Sequence, residues 1–69
     1  MRTISVLAIL EDEERWVEMS EGDSIEDLVR ALQRLPDAHL VTLAGRPMPI
    51  TSTLADGEGY RLIRVASGG

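Results

Sequence analysis

The sequence predicts an α+β fold: one mixed sheet of four or five strands with a single helix packed across one face. Segments of period-two alternation lie toward both ends of the chain, and one apolar stripe of helical period lies between them. The 69 residues, 43% of them hydrophobic, allow one small domain and no more. A chain of this size buries only about 60% of the surface its unfolded form exposes, so its core must be economical.

Met1 to Leu10 reads as a strand. Ile4, Val6, Ala8 and Leu10 alternate onto one apolar face, and Thr3, Ser5, Leu7 and Ile9 onto the other. Glu11 to Glu14 is too charged to bury and reads as the turn of a hairpin. Arg15 to Met19 returns, with Val17 and Met19 on one face and Trp16 and Glu18 on the other. Asp23 with Glu26, and Ser24 with Asp27, both have capping-box spacing, and the sequence does not choose between them. Ile25, Leu28, Val29, Leu32 and Leu35 form the stripe of an amphipathic helix that Pro36 stops at about Leu35. Glu26 and Arg30 lie four apart on its wet side and can pair.

His39 to Leu43 is a third strand. Ala44 to Pro49 reads as a stiff turn, because its two prolines remove backbone donors. Ile50 to Leu54 adds either a short edge strand or a single turn. Asp56 to Gly59 is a turn, Tyr60 to Val65 the last strand, and Ala66 to Gly69 a tail that packing cannot hold. The domain therefore spans 1–65 and the tail 66–69. A hairpin, one helix and further strands leave least apolar surface wet when the helix crosses a mixed sheet whose first and last strands are central. That arrangement is the β-grasp.

Charge divides the chain. Between Glu11 and Asp27 nine carboxylates face one cation, Arg15, a balance of −8 within a net charge of −5. Leu28 to Gly69 carries five arginines against three carboxylates. So acidic a chain is poorly suited to nucleic acid, where phosphates need clustered cations. All seven cations are Arg and none is Lys. A GC-rich genome accounts for that, and so does a chain that must not accept its own carboxyl end. No Cys is present, which removes disulfides, thiolate metal sites and thiol nucleophiles and fits a cytoplasmic setting. No apolar run reaches the roughly 20 residues of a membrane span, and no secretory signal opens the sequence.

Three stretches together resemble the ubiquitin-like β-grasp proteins that end in Gly-Gly. Asp23-Ser24-Ile25-Glu26-Asp27-Leu28 looks like their helix start, and Leu43-Ala44-Gly45-Arg46-Pro47 like the strand-to-turn segment of ubiquitin and the small archaeal modifiers. Leu54-Ala55-Asp56-Gly57-Glu58 with Val65-Ala66-Ser67-Gly68-Gly69 looks like the end of the prokaryotic sulfur carriers ThiS and MoaD. One departure is Gly59, where a larger residue usually leads into the last strand; this substitution is expected to loosen that segment.

The resemblance implies a modifier or sulfur carrier whose Gly69 carboxylate is adenylated by an E1-like enzyme. The product is a thiocarboxylate for a sulfur-accepting enzyme, an isopeptide on target-protein lysines, or both. Ala66, Ser67 and Gly68 form the activation tail, and a JAMM-type protease is a further partner. Two glycines without β-carbons present the carboxylate on a thin backbone that can thread a narrow channel. The tail offers no acid or base and the chain no glycine-rich phosphate loop, so it binds no cofactor: ATP and Mg belong to the partner, and this chain is the substrate, not an enzyme. The alternative is a β-grasp module that docks partners without using its terminus.

Alternation in the last strand turns Arg61, Ile63 and Val65 away from the helix, and by similarity Leu40 and Thr42 accompany them, with Leu7 and Ile9 as neighbours. Leu40, Thr42, Ile63 and Val65, rimmed by Arg46, Arg61 and Arg64, are the expected partner-binding face of a monomer. Trp16 reads as a cover for this face or its edge. His39 alone cannot make a metal site, and Glu11 to Glu14 lacks the spacing of a calcium loop.

Overall fold

The computed structural model describes residues 2–65. Thr3–Ile9 form β1 and Glu14–Ser20 form β2, followed by helix α1 at Ile25–Ala31. A 3₁₀ turn at Pro36–Ala38 precedes β3 at His39–Leu43, β4 at Arg46–Met48 and β5 at Gly59–Arg64. The sheet order is β2-β1-β5-β3-β4. The first and last strands are parallel and central, and β2 and β3 pair antiparallel to β1 and β5.

Alternation in β1 buries Ile4, Val6 and Ala8. They meet Ile25, Leu28 and Val29 from α1, all fully buried, with Val41, Tyr60 and Leu62 completing the core. Seven residues make two helical turns, too short to persist alone in water. Packing holds this helix, and so does its start. Ser24 and Asp27 form the capping box, which settles the register the sequence left open. Asp27 N–H donates to Ser24 Oγ at 3.2 Å, and Ser24 N–H to the Asp27 carboxylate at 2.9 Å. The Ile25 and Glu26 amides donate to the carbonyls of Ser52 and Ile50, both at 2.9 Å. Segment 50–54 is therefore a turn with a single bridge, Thr53 to Ser24, because its carbonyls face the helix start.

α1 ends at Ala31, not Leu35. Gln33 takes φ 61°, its N–H donates to the Arg30 carbonyl at 2.9 Å, and Arg34 N–H donates to the Val29 carbonyl at 3.1 Å. This is a Schellman closure with glutamine in the left-handed position. It ends the stripe at Leu32 and leaves Leu35 71% exposed. Arg30 bonds Glu26 at 2.8 Å, and that contact holds the guanidinium above its usual pKa.

Three boundaries also move. Glu14 belongs to β2 rather than to the turn, where it pairs with Ile9. Ala44 and Gly45, at φ 53° and 80°, make a two-residue hairpin turn, so Arg46–Met48 becomes an edge strand where the sequence suggested a longer turn. Pro47 is tolerated there because an edge strand has a free side for the donor that proline lacks. Gly59 opens β5 opposite Leu7, and a Cβ there would meet Ile9 Cδ1 at 3.4 Å, an ordinary packing distance.

Candidate docking face

Registers place the outer-face residues in rows. Thr42 stands opposite Arg61 on one side and Pro47 on the other, and Arg61 stands opposite Ile9. The next row pairs Leu40 with Ile63. The third pairs Leu7 with both Gly59 and Trp16. Leu40, Ile63 and Val65 are about two-fifths exposed, and Val65 is anchored by its N–H to the Ala38 carbonyl at 2.9 Å. This is the apolar face the alternation predicts.

Two parts of the expectation change. Thr42 shares the face but is only 9% exposed, since its row sets it between Pro47 and Arg61. It supports the patch and offers little contact. The basic rim is also divided. Arg61 is on the outer face, whereas Arg46 opposes Leu43 and Arg64 opposes His39, which gives both the helix-side parity. The strand period of two separates them from Arg61. Arg64 instead shares a shallow pocket with Arg34, Leu35 and His39. His39 Nδ1 lies 3.0 Å from the Leu35 carbonyl oxygen, to which it donates.

Pro47 is the outer-face residue that sequence reasoning missed. Its signal was present: Leu43 followed by Ala44-Gly45 is a strand end and a two-residue turn, which obliges the chain to return beside β3. A shallow groove between Ile9, Thr42, Arg61 and the 44–45 turn, floored by Gly59, was also not foreseen. Gly68, Gly69, Ser67 and Ala66 lie outside the described residues. Among the described residues no group of three or more His, Asp or Glu side chains is placed to hold a metal ion, and no helix is long and apolar enough to cross a membrane.

No family model matches the sequence, and no curated protein matches it. Solved structures do. Ubiquitin of Caldiarchaeum subterraneum aligns with a TM-score of 0.73 at 19% identity, over 99% of this chain and 100% of that one. The N-terminal ubiquitin-like domain of the 4931431F19Rik protein gives 0.76 at 14% identity, over 99% of this chain and 80% of that one. A chain in the crystal structure of a pParkin–pUb–UbcH7 complex gives 0.70 at 15% identity, over 91% of this chain and 23% of that one. The chain has the ubiquitin-like β-grasp fold.

Proposed function

We propose that this chain is a ubiquitin-like modifier or sulfur carrier used through the carboxylate of Gly69. The supporting observation is the end-to-end likeness in fold to the ubiquitin of Caldiarchaeum subterraneum, combined with a central β5 that ends at Arg64, five residues before Gly69. Five residue steps of extended chain span at most about 17 Å. An enzyme acting on Gly69 must therefore sit against this end of the sheet, beside Leu40, Ile63 and Val65.

In the proposed chemistry a Gly69 carboxylate oxygen attacks the α-phosphorus of ATP in an E1-like partner, and pyrophosphate leaves. Hydrosulfide then displaces AMP to give a thiocarboxylate, or an enzyme thiolate displaces AMP to give a thioester. In the second branch a lysine ε-amine attacks the thioester carbonyl, the thiol leaves with a proton, and an isopeptide remains. A JAMM-type protease would reverse that bond. This chain supplies no acid, base or nucleotide site to any step; ATP and Mg stay with the partner in the cytoplasm.

A second reading uses the same outer face without covalent chemistry, and the exposed Leu40, Ile63 and Val65 favour it equally. One experiment separates them. Protein isolated from its native cells is weighed intact for oxygen-to-sulfur exchange at Gly69, and the proteome is digested with trypsin. Cleavage after Arg64 leaves a Val-Ala-Ser-Gly-Gly branch on any modified lysine. Either species supports the carrier; neither, in cells that express the protein, leaves the non-covalent module. Removing Gly68 and Gly69 must then leave function intact.

A further inference from the structure

β2 is a terminal strand of the sheet, and one of its edges has no strand beside it among the described residues. The β1–β2 ladder shows which of its backbone groups face that edge. Glu21 N–H donates to the Arg2 carbonyl at 2.7 Å and Leu10 N–H to the Glu13 carbonyl at 2.8 Å, at the two ends of the register. Antiparallel pairs alternate between bonded and non-bonded. Arg15, Val17 and Met19 therefore bond to β1, and Glu14, Trp16, Glu18 and Ser20 turn their N–H and C=O groups outward. Ser20 is already satisfied: Asp23 takes its N–H at 2.9 Å, and its carbonyl accepts Asp23 N–H at 3.0 Å. Glu14, Trp16 and Glu18 keep six outward backbone groups.

The same three residues share the outer parity, opposite Ile9, Leu7 and Ser5, at intervals of about 7 Å. Trp16 is 62% exposed. Arg15 lies 3.8 Å from Glu13 and Arg2 lies 3.8 Å from Glu21, so no cation is within salt-bridge distance of Glu14 or Glu18 among the described residues. Edge strands are commonly guarded with Lys, Pro or bulges. This one carries carboxylates inside a flank of net charge −8. Such an edge repels a second copy of this chain, whose own net charge is −5, and attracts cationic chains.

We infer that the β2 edge, Glu14 to Glu18, receives a basic extended peptide as a sixth strand, with cationic side chains set opposite Glu14 and Glu18 and the intervening outer residue against Trp16. The unpaired backbone supplies the register, the carboxylates select the charge, and the Trp16 ring adds a face that favours a neighbouring cation. The added strand runs antiparallel to β2, so that the residue opposite Trp16 exchanges both its N–H and its C=O with it. This surface lies on the opposite sheet edge from β4, and the inference does not depend on Gly69.

The test uses the full chain and the peptide acetyl-Arg-Val-Thr-Val-Arg-amide. Trp16 is the only tryptophan, so its fluorescence reads binding at this edge directly. The expected result is saturable binding, with amide exchange at Glu14, Trp16 and Glu18 slowed while Arg15 and Val17 are little changed. Replacing both peptide arginines with glutamate weakens binding at least about tenfold. N-methylation at the central threonine keeps the charge but removes a backbone donor and weakens it about fivefold or more. Glu14→Gln with Glu18→Gln, both exposed, weakens the basic peptide without altering the thermal midpoint. Equal binding by the N-methylated peptide reduces the site to charge attraction and overturns the inference, as does absence of binding. Concentration-dependent protection of the same amides without peptide gives the edge to a second copy and overturns it too.

Discussion

Tyr60→Phe removes one hydrogen bond while leaving the ring in place, and its cost follows from the local geometry. Tyr60 is 1% exposed in the central strand β5, aligned with Ala8 on one side and Leu43 on the other. Its hydroxyl oxygen accepts the Ala55 N–H at 2.9 Å. That bond ties the 54–58 loop to the sheet, together with Ser5 N–H to Asp56 Oδ1 at 2.9 Å and Gly57 N–H to the Ser5 carbonyl at 2.7 Å. Phenylalanine preserves the packing and leaves Ala55 N–H without its partner. Ala55 is exposed, so water takes over part of the bond and the loss stays near about 1 kcal/mol. For a domain this small, that lowers the melting midpoint by about 4–8 °C. Urea unfolding should show a lower midpoint at unchanged slope, and the Ala55 amide should gain more in exchange rate than Leu62, which speeds up only by the roughly fivefold that the global loss implies. An unchanged midpoint together with unchanged Ala55 exchange would refute the reasoning. A loss above about 3 kcal/mol would do so from the other side, because only disrupted ring packing reaches that size.

Gln33→Gly should stabilise the protein by about 0.5–1 kcal/mol in urea unfolding, since glycine adopts φ 61° without the steric cost that glutamine carries. Ser24→Ala should cost about 1 kcal/mol through loss of the Asp27 cap, and Asp23→Ala should leave the helix start intact, since Asp23 bonds Ser20 instead. Ile63→Asp should abolish partner capture through the outer face with little change in melting, while Thr42→Asp should unfold the domain at lower temperature, because Thr42 is covered and Ile63 is not. Polymers of this protein in its native cells should carry no side-chain linkage, because the chain has no lysine, and peptide mapping that finds one refutes this.

The period-two pattern of Ile4, Val6 and Ala8, the Tyr60–Leu62 alternation and the Ile25–Leu28–Val29–Leu32 stripe determine the sheet, the helix and the faces they bury. These signals are local and repeat, so a short chain states them without knowledge of its neighbours. The apolar outer face of Leu40, Ile63 and Val65 follows from the same alternation. What the tertiary structure decided depends on partners distant in sequence. The carbonyls of Ile50 and Ser52 close the helix start some 25 residues earlier in the chain, which is why that segment is no strand. Gln33 ends α1 before Pro36 can, through a left-handed conformation that no glycine announces. Arg46 and Arg64 part from Arg61 only once the registers are known. The unpaired edge of β2 likewise becomes visible only in the strand order, because a strand's sequence records which face it buries and not which of its edges finds a neighbour.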